Sequence, residues 1–173
     1  MAPIKATGDA AKILLSLSDR ILAYKIERFL RGVSSKLQHE FVVKLQNDPA
    51  LRTRTVEHLI ITLDKIDEIK KADLIAKVFC AHVENKIPME TFERLVSAIN
   101  AAFVEDLKKI ESDSLSAAML EPYLPNLLRA GLTEIVSRDE QNLSQASRGT
   151  TTYRLNHLGR IFQQIMTNQA ILG

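Results

Sequence analysis

The chain contains one cysteine, no tryptophan, six glycines and 5% aromatic residues among its 173. The single Cys80 excludes an internal disulfide framework and fits a reducing compartment. So few glycines leave no place for a phosphate-cradling P-loop or a dinucleotide fingerprint. Scarce aromatics argue against a platform on which nucleic-acid bases stack. No segment reaches the ~18 uninterrupted apolar residues of a spanning helix. The opening Met1–Lys5 and the brief apolar run 13–17, with Asp19 and Arg20 close behind, lack a secretory layout. Together these absences predict a cytoplasmic protein with no membrane partner.

What is present is enough apolar material for a core. Hydrophobic residues make up 46% and charged residues 25%, with 23 Lys+Arg against 21 Asp+Glu. Folding at this length removes roughly 70% of the unfolded chain's surface from water, so no staple is required. The small net charge conceals an uneven distribution. Residues 1–54 carry ten cations and five anions, residues 55–113 eight and twelve, and residues 114–173 five and four. A basic first third suggests an anionic partner or an acidic docking surface, set against the plainer reading of solvated helix faces.

Apolar spacing predicts five helices in the first 110 residues. Leu15, Leu22, Ile26, Phe29 and Val33 form the stripe of a helix from about Asp9 to Leu30, with Gly32 at its end. Ser34 or Ser35 caps a second helix through Leu37, Phe41 and Leu45, stopped at Asn47-Asp48-Pro49. Val56, Leu59, Leu63 and Ile66 mark a third. Asp67 is the expected N-cap of a fourth over Lys70 to Glu84, burying Leu74, Ile75, Val78, Phe79 and Cys80. A fifth, from Glu90 to Ile110, has the cleanest period: Phe92, Leu95, Val96, Ile99, Ala102, Phe103, Leu107 and Ile110. Its wide apolar face suggests a homodimer contact. Residues 111–114 are a polar break and the expected boundary.

Beyond the break the pattern changes. Leu115 to Ala130 reads as helix, regular from Pro122 and ended by Gly131. Leu132–Val136 and Thr151–Leu155 read as short strands around a polar loop, 137–150, and helix returns from Asn156 through Leu158, Ile161, Phe162 and Ile165.

This succession, with Leu127-Leu128-Arg129-Ala130-Gly131-Leu132 and then Tyr153-Arg154-Leu155-Asn156-His157-Leu158-Gly159, resembles the back half of a winged-helix domain across residues 114–168. Asn156 stands where Thr is usual in that box, and Asn can still cap the final helix. The segments Leu63–Ala72 and Phe103–Leu107 resemble an uncharacterised bacterial and prophage family of helical proteins. The expected architecture is therefore mainly α: a helical body over 1–110, then a winged-helix-like module with a two-stranded hairpin over 114–173, both on one core.

The winged-helix resemblance implies a recognition helix at 121–130 and a wing on phosphate. The candidate contacts are Asn126, Arg129, Arg138, Arg148 and Arg154. Glu121, Asp139 and Glu140 offset them, and non-specific affinity usually draws on about 6–10 neutralised phosphates.

The residues offer no recognisable catalytic or metal-binding constellation. His39, His58, His82 and His157 lack a second ligand at metal-binding spacing, and Cys80 and His82 point apart on a helix. Asp64, Asp67 and Glu68 approach one another at i, i+3 and i+4, but helix end and cap explain them. Asn142-Leu143-Ser144 is a coincidental glycosylation match. The sequence thus predicts no enzyme, no cofactor and no metal. It predicts a macromolecule-binding protein, with another protein as partner, in bacterial or phage regulation or host–phage conflict. A winged-helix DNA-binding regulator is the alternative.

Overall fold

The structure is a computed structural model describing residues 3–47, 49–112, 121–136 and 152–169. The order is α1 (Pro3–Gly32), α2 (Ser35–Asn47), α3 (Pro49–Lys65), α4 (Lys71–Val83), α5 (Met89–Ala101), α6 (Val104–Ser112), α7 (Leu124–Arg129), β1 (Thr133–Val136), β2 (Thr152–Leu155) and α8 (His157–Met166). It is mainly helical with one small antiparallel sheet near the C-terminus, the fold class expected from the sequence. Two compact units are present, Met1–Ala76 and Lys77–Gly173, and their boundary falls inside α4. Of the polar segment 111–114, Glu111 and Ser112 belong to α6, whereas 113 and 114 lie outside the described residues.

In the first unit, Phe29 and Val33 of the α1 end are buried, as are Leu37, Leu63, Ile66, Ile75 and Ala76. Leu22 and Ile26 of the expected stripe are only half-buried. Ser34 caps α2, its Oγ accepting from Leu37 N at 3.3 Å. The Gln38 amide donates to Leu30 O and Val33 O, both at 2.8 Å, adding to the turn bond that Leu30 O accepts from Val33 N at 3.1 Å and so securing the end of α1. Pro49 is the first residue of α3 as well as the stop for α2. At the other end of α3, the buried Lys25 Nζ donates to Asp64 O at 2.9 Å and Ile66 O at 2.8 Å, placing a cation on the negative end of the helix. Gly32 allows a close approach, since a Cβ there would stand 2.6 Å from that of Ala76.

Asp67 is not the N-cap of α4. The helix begins at Lys71, after turn bonds from Lys71 N to Glu68 O and from Ala72 N to Ile69 O. The carboxylate instead accepts from Glu68 N at 2.8 Å and meets Lys71 Nζ at 2.6 Å. Lys71 is 1% exposed, and a buried ammonium needs such a partner more than a helix start does.

In the second unit, the single helix expected over Glu90–Ile110 is two helices. Ala102 takes an extended conformation (φ −91°, ψ 156°) and closes α5, its N–H still bonded to Ala98 O. The chain then restarts with Phe103 O accepting from Asp106 N and Leu107 N, both at 3.1 Å. Ala102 and Val104 are buried on either side, which turns Phe103 outward, 62% exposed. Glu105 and Asp106 fall in the first turn of α6, where the helix dipole favours acids.

The regular part of the next helix starts at Leu124 with Pro125 in its first turn, two residues later than expected. Gly131 follows with φ +79°, a conformation that costs a side chain energy. The hairpin pairs Thr133 with Leu155, Glu134 with Arg154, Ile135 with Tyr153 and Val136 with Thr152. Thr133 Oγ1 donates to Leu124 O at 3.2 Å, tying the hairpin to α7. Phe92, Leu95, Ile99, Leu107, Ile110, Leu127, Leu132 and Phe162 are buried together with Leu155. The α5 and α6 helices pack on α8, and the Gln163 amide donates to Ile110 O at 2.8 Å.

Candidate interaction surfaces

The residues expected at a nucleic-acid or partner surface are scattered in role. Asn126 lies on α7, half-buried, and its amide donates to Asp106 Oδ2 at 3.0 Å, twenty residues earlier in the chain. Arg154 faces Glu134 directly across the hairpin, Nε to Oε1 at 2.5 Å. Arg129 is exposed and, among the described residues, makes no ion pair. Arg138 and Arg148, with the expected wing 137–150, lie outside the described residues. Arg160, not singled out from the sequence, donates to Leu155 O at 2.9 Å.

The junction of β1, β2 and α8 is held by Asn156. Its Oδ1 accepts from Gly159 N at 2.9 Å, which caps α8 as the sequence predicts. Its Nδ2 donates to Gly131 O at 2.8 Å and Thr133 O at 3.3 Å. Threonine has no such amide, so Asn at this position adds a strand-entry clamp to the cap. Gly159 is a steric necessity here: a Cβ would overlap Leu132 O and stand 3.0 Å from Leu155 Cδ2.

The titratable residues weighed as catalytic or metal-ligating do not converge. His82 stacks on Phe92 with centroids 5.5 Å apart, and its Nδ1 lies 3.1 Å from Ile87 O. Cys80 is half-buried rather than enclosed. Asp67 is held below the usual carboxylate range, chiefly by its hydrogen bond from Lys71. Among the described residues, no three His, Cys, Asp or Glu side chains gather to hold a metal ion. No helix of the described residues is long and apolar enough to cross a membrane.

A surface that sequence reasoning missed lies on α1. Leu17, Ile21 and Tyr24 recur at i, i+4 and i+7 and are 45–48% exposed. They form a second apolar row, roughly a third of a turn around the helix from the buried Phe29 side. Every residue from 16 to 21 is exposed, so this stretch of helix has solvent on all faces. The row runs into an open groove of about 390 Å³ lined by Tyr24, Arg28, Arg31, Gly32 and Asp73. The groove wall is built by a bidentate pair, Arg28 Nε and Nη2 on Asp73 Oδ1 and Oδ2 at 2.7 and 2.6 Å. That pair raises the Arg28 pKa further above its ordinary value, Asp73 being the largest cause. Arg31 is bonded to Glu27 at 2.6 Å. The readable signal was the 17, 21, 24, 28, 31 spacing, which the stronger 22, 26, 29, 33 row obscured. No protein-family model, no curated protein and no solved structure matches the chain.

Proposed function

We propose that this is a non-enzymatic, cytoplasmic macromolecule-binding protein whose partner is another protein, acting in bacterial or phage regulation or host–phage conflict. The setting rests on the resemblance of the middle segment. The partner class rests chiefly on the α1 row of Leu17, Ile21 and Tyr24 beside the Arg28–Asp73 groove. A contiguous apolar row rimmed by charged side chains is the usual form of a protein-docking surface.

The winged-helix DNA regulator is the second reading, favoured by the exposed Arg129 at the end of α7. Against it, Asn126 and Arg154 are engaged by Asp106 and Glu134. A base-edge contact by Asn126 would first have to break its bond to Asp106.

Two assays separate the readings. Random duplex DNA titrated with the protein at low and moderate salt should show no shift under the first reading. A shift lost at moderate salt favours the second. Capture from a bacterial lysate, wild type beside Ile21→Lys, should return a protein that the variant loses. Equal capture by both would remove α1 as the binding face.

A further inference from the structure

We infer that the exposed row of α1 is occupied by the same helix of a second copy of this chain, antiparallel, about a two-fold axis. This deepens the proposed function and rests on its reading of α1 as a protein-contact face.

Three observations carry it. The first is spacing. Leu17, Ile21, Tyr24, Arg28 and Arg31 step by four, three, four and three residues, which is the a/d seam of paired helices. The seam is apolar in its first half. In its second half it consists of arginine stems along the groove.

The second is reciprocity. The half of the helix with no core beneath it lies at residues 16–21, and the half bearing the groove lies at 24–32. Reversing a second α1 lays each bare half in the other's groove. Ile21 then meets Tyr24 of the second copy, and Leu17 meets the Arg28 stem. Such an isologous contact closes on itself as a dimer.

The third is charge. In that register Arg20 of each copy faces Glu27 of the other, on the side of the helix turned away from the core. Both are exposed; Arg20 makes no ion pair among the described residues, and Glu27, whose Oε1 accepts from Arg31 of its own helix at 2.6 Å, would meet the second copy's Arg20 through its other carboxylate oxygen. A parallel pairing would instead set Arg20 toward Lys25, a like charge already committed to Asp64 O and Ile66 O. Pairing of residues 17–28, the stretch this register closes on itself, buries at most on the order of 1,000 Å², the small end of specific interfaces, so self-association in the micromolar range is expected.

The test is sedimentation of the full chain across about 1–100 µM. Wild type should pass from monomer to dimer. Arg20→Glu and Glu27→Arg, each alone, place like charges opposite twice and should weaken association more than tenfold with helix content unchanged. An equimolar mixture of the two variants should recover the dimer, because every cross-pair is again opposite in sign. A strict monomer at the highest concentration overturns the inference, as do undiminished dimers in the single variants or a mixture that stays monomeric. If wild type is monomeric but Ile21→Lys still loses a captured protein, self-pairing fails while the docking function stands.

Discussion

Replacing Gly159 by alanine tests the packing of the C-terminal junction. In an ordinary helix interior this exchange gains about 1 kcal/mol, because alanine loses less backbone freedom. Here the added methyl would overlap Leu132 O and stand 3.0 Å from both Leu132 C and Leu155 Cδ2. Neither neighbour can give way cheaply. Leu132 is fully buried and its carbonyl accepts from Asn156 N at 3.2 Å, so relief requires α8 to move off the hairpin. Overpacking of a rigid contact costs about 3 kcal/mol at the upper end of its usual range, leaving a net loss of about 2 kcal/mol. For a unit of this size that lowers the melting temperature by roughly 8–16 °C. Gly131→Ala is the control. Its φ of +79° carries strain, but no atom lies within 4 Å of an added Cβ, so a loss of only about 1–2 kcal/mol follows. Thermal and urea unfolding followed by circular dichroism would decide the matter. A Gly159→Ala protein as stable as wild type, or more stable, refutes the close-approach argument.

Three further outcomes follow from the first unit. Lys25→Met leaves Asp64 O and Ile66 O without their charged donor and should cost about 2–3 kcal/mol in urea unfolding; an unchanged midpoint would remove the cap. The Arg28 and Asp73 side chains are 33% and 43% exposed, so a double-mutant cycle to alanine should return a coupling of about 1 kcal/mol that shrinks in high salt. A salt-independent coupling would contradict that exposure. Asp67 has a folded pKa below its unfolded one, so its contribution is present above about pH 4 and is lost as pH falls through the folded value. The stability gap between wild type and Asp67→Asn should therefore close on acidification, and a gap that widens would reverse the assignment.

Much of the fold was readable because its pattern was local. The hairpin follows from alternation flanked by Gly131, and α8 follows from Asn156 ahead of a strong 3.6-residue period. The interruption between α5 and α6 was not readable from periodicity, since Ala102 and Phe103 fit the repeat whether or not the helix continues. The available cue was Glu105-Asp106, two acids placed where a helix begins. The candidate contacts divide by the same logic. The Arg154–Glu134 pair follows once the register is known, because the two stand directly opposite. The Asn126–Asp106 bond does not, because it depends on how α6 meets α7.

The basic first third illustrates how tertiary placement rewrites a sequence-level charge. Lys25 is buried against backbone carbonyls, Arg28 is spanned by Asp73, and Arg31 is bonded to Glu27. Two of its ten cations thus tie α1 to other elements and a third pairs within α1, and Asp73 belongs to the segment counted as acidic. The excess that suggested an anionic partner is in part the complement of the acidic middle, satisfied within the first unit. The first unit also exposes large apolar side chains at Leu30, Val42, Val43, Ile60 and Ile61, but Leu17, Ile21 and Tyr24 form the row that runs into the groove, and an apolar row is satisfied by a packed surface rather than by phosphate.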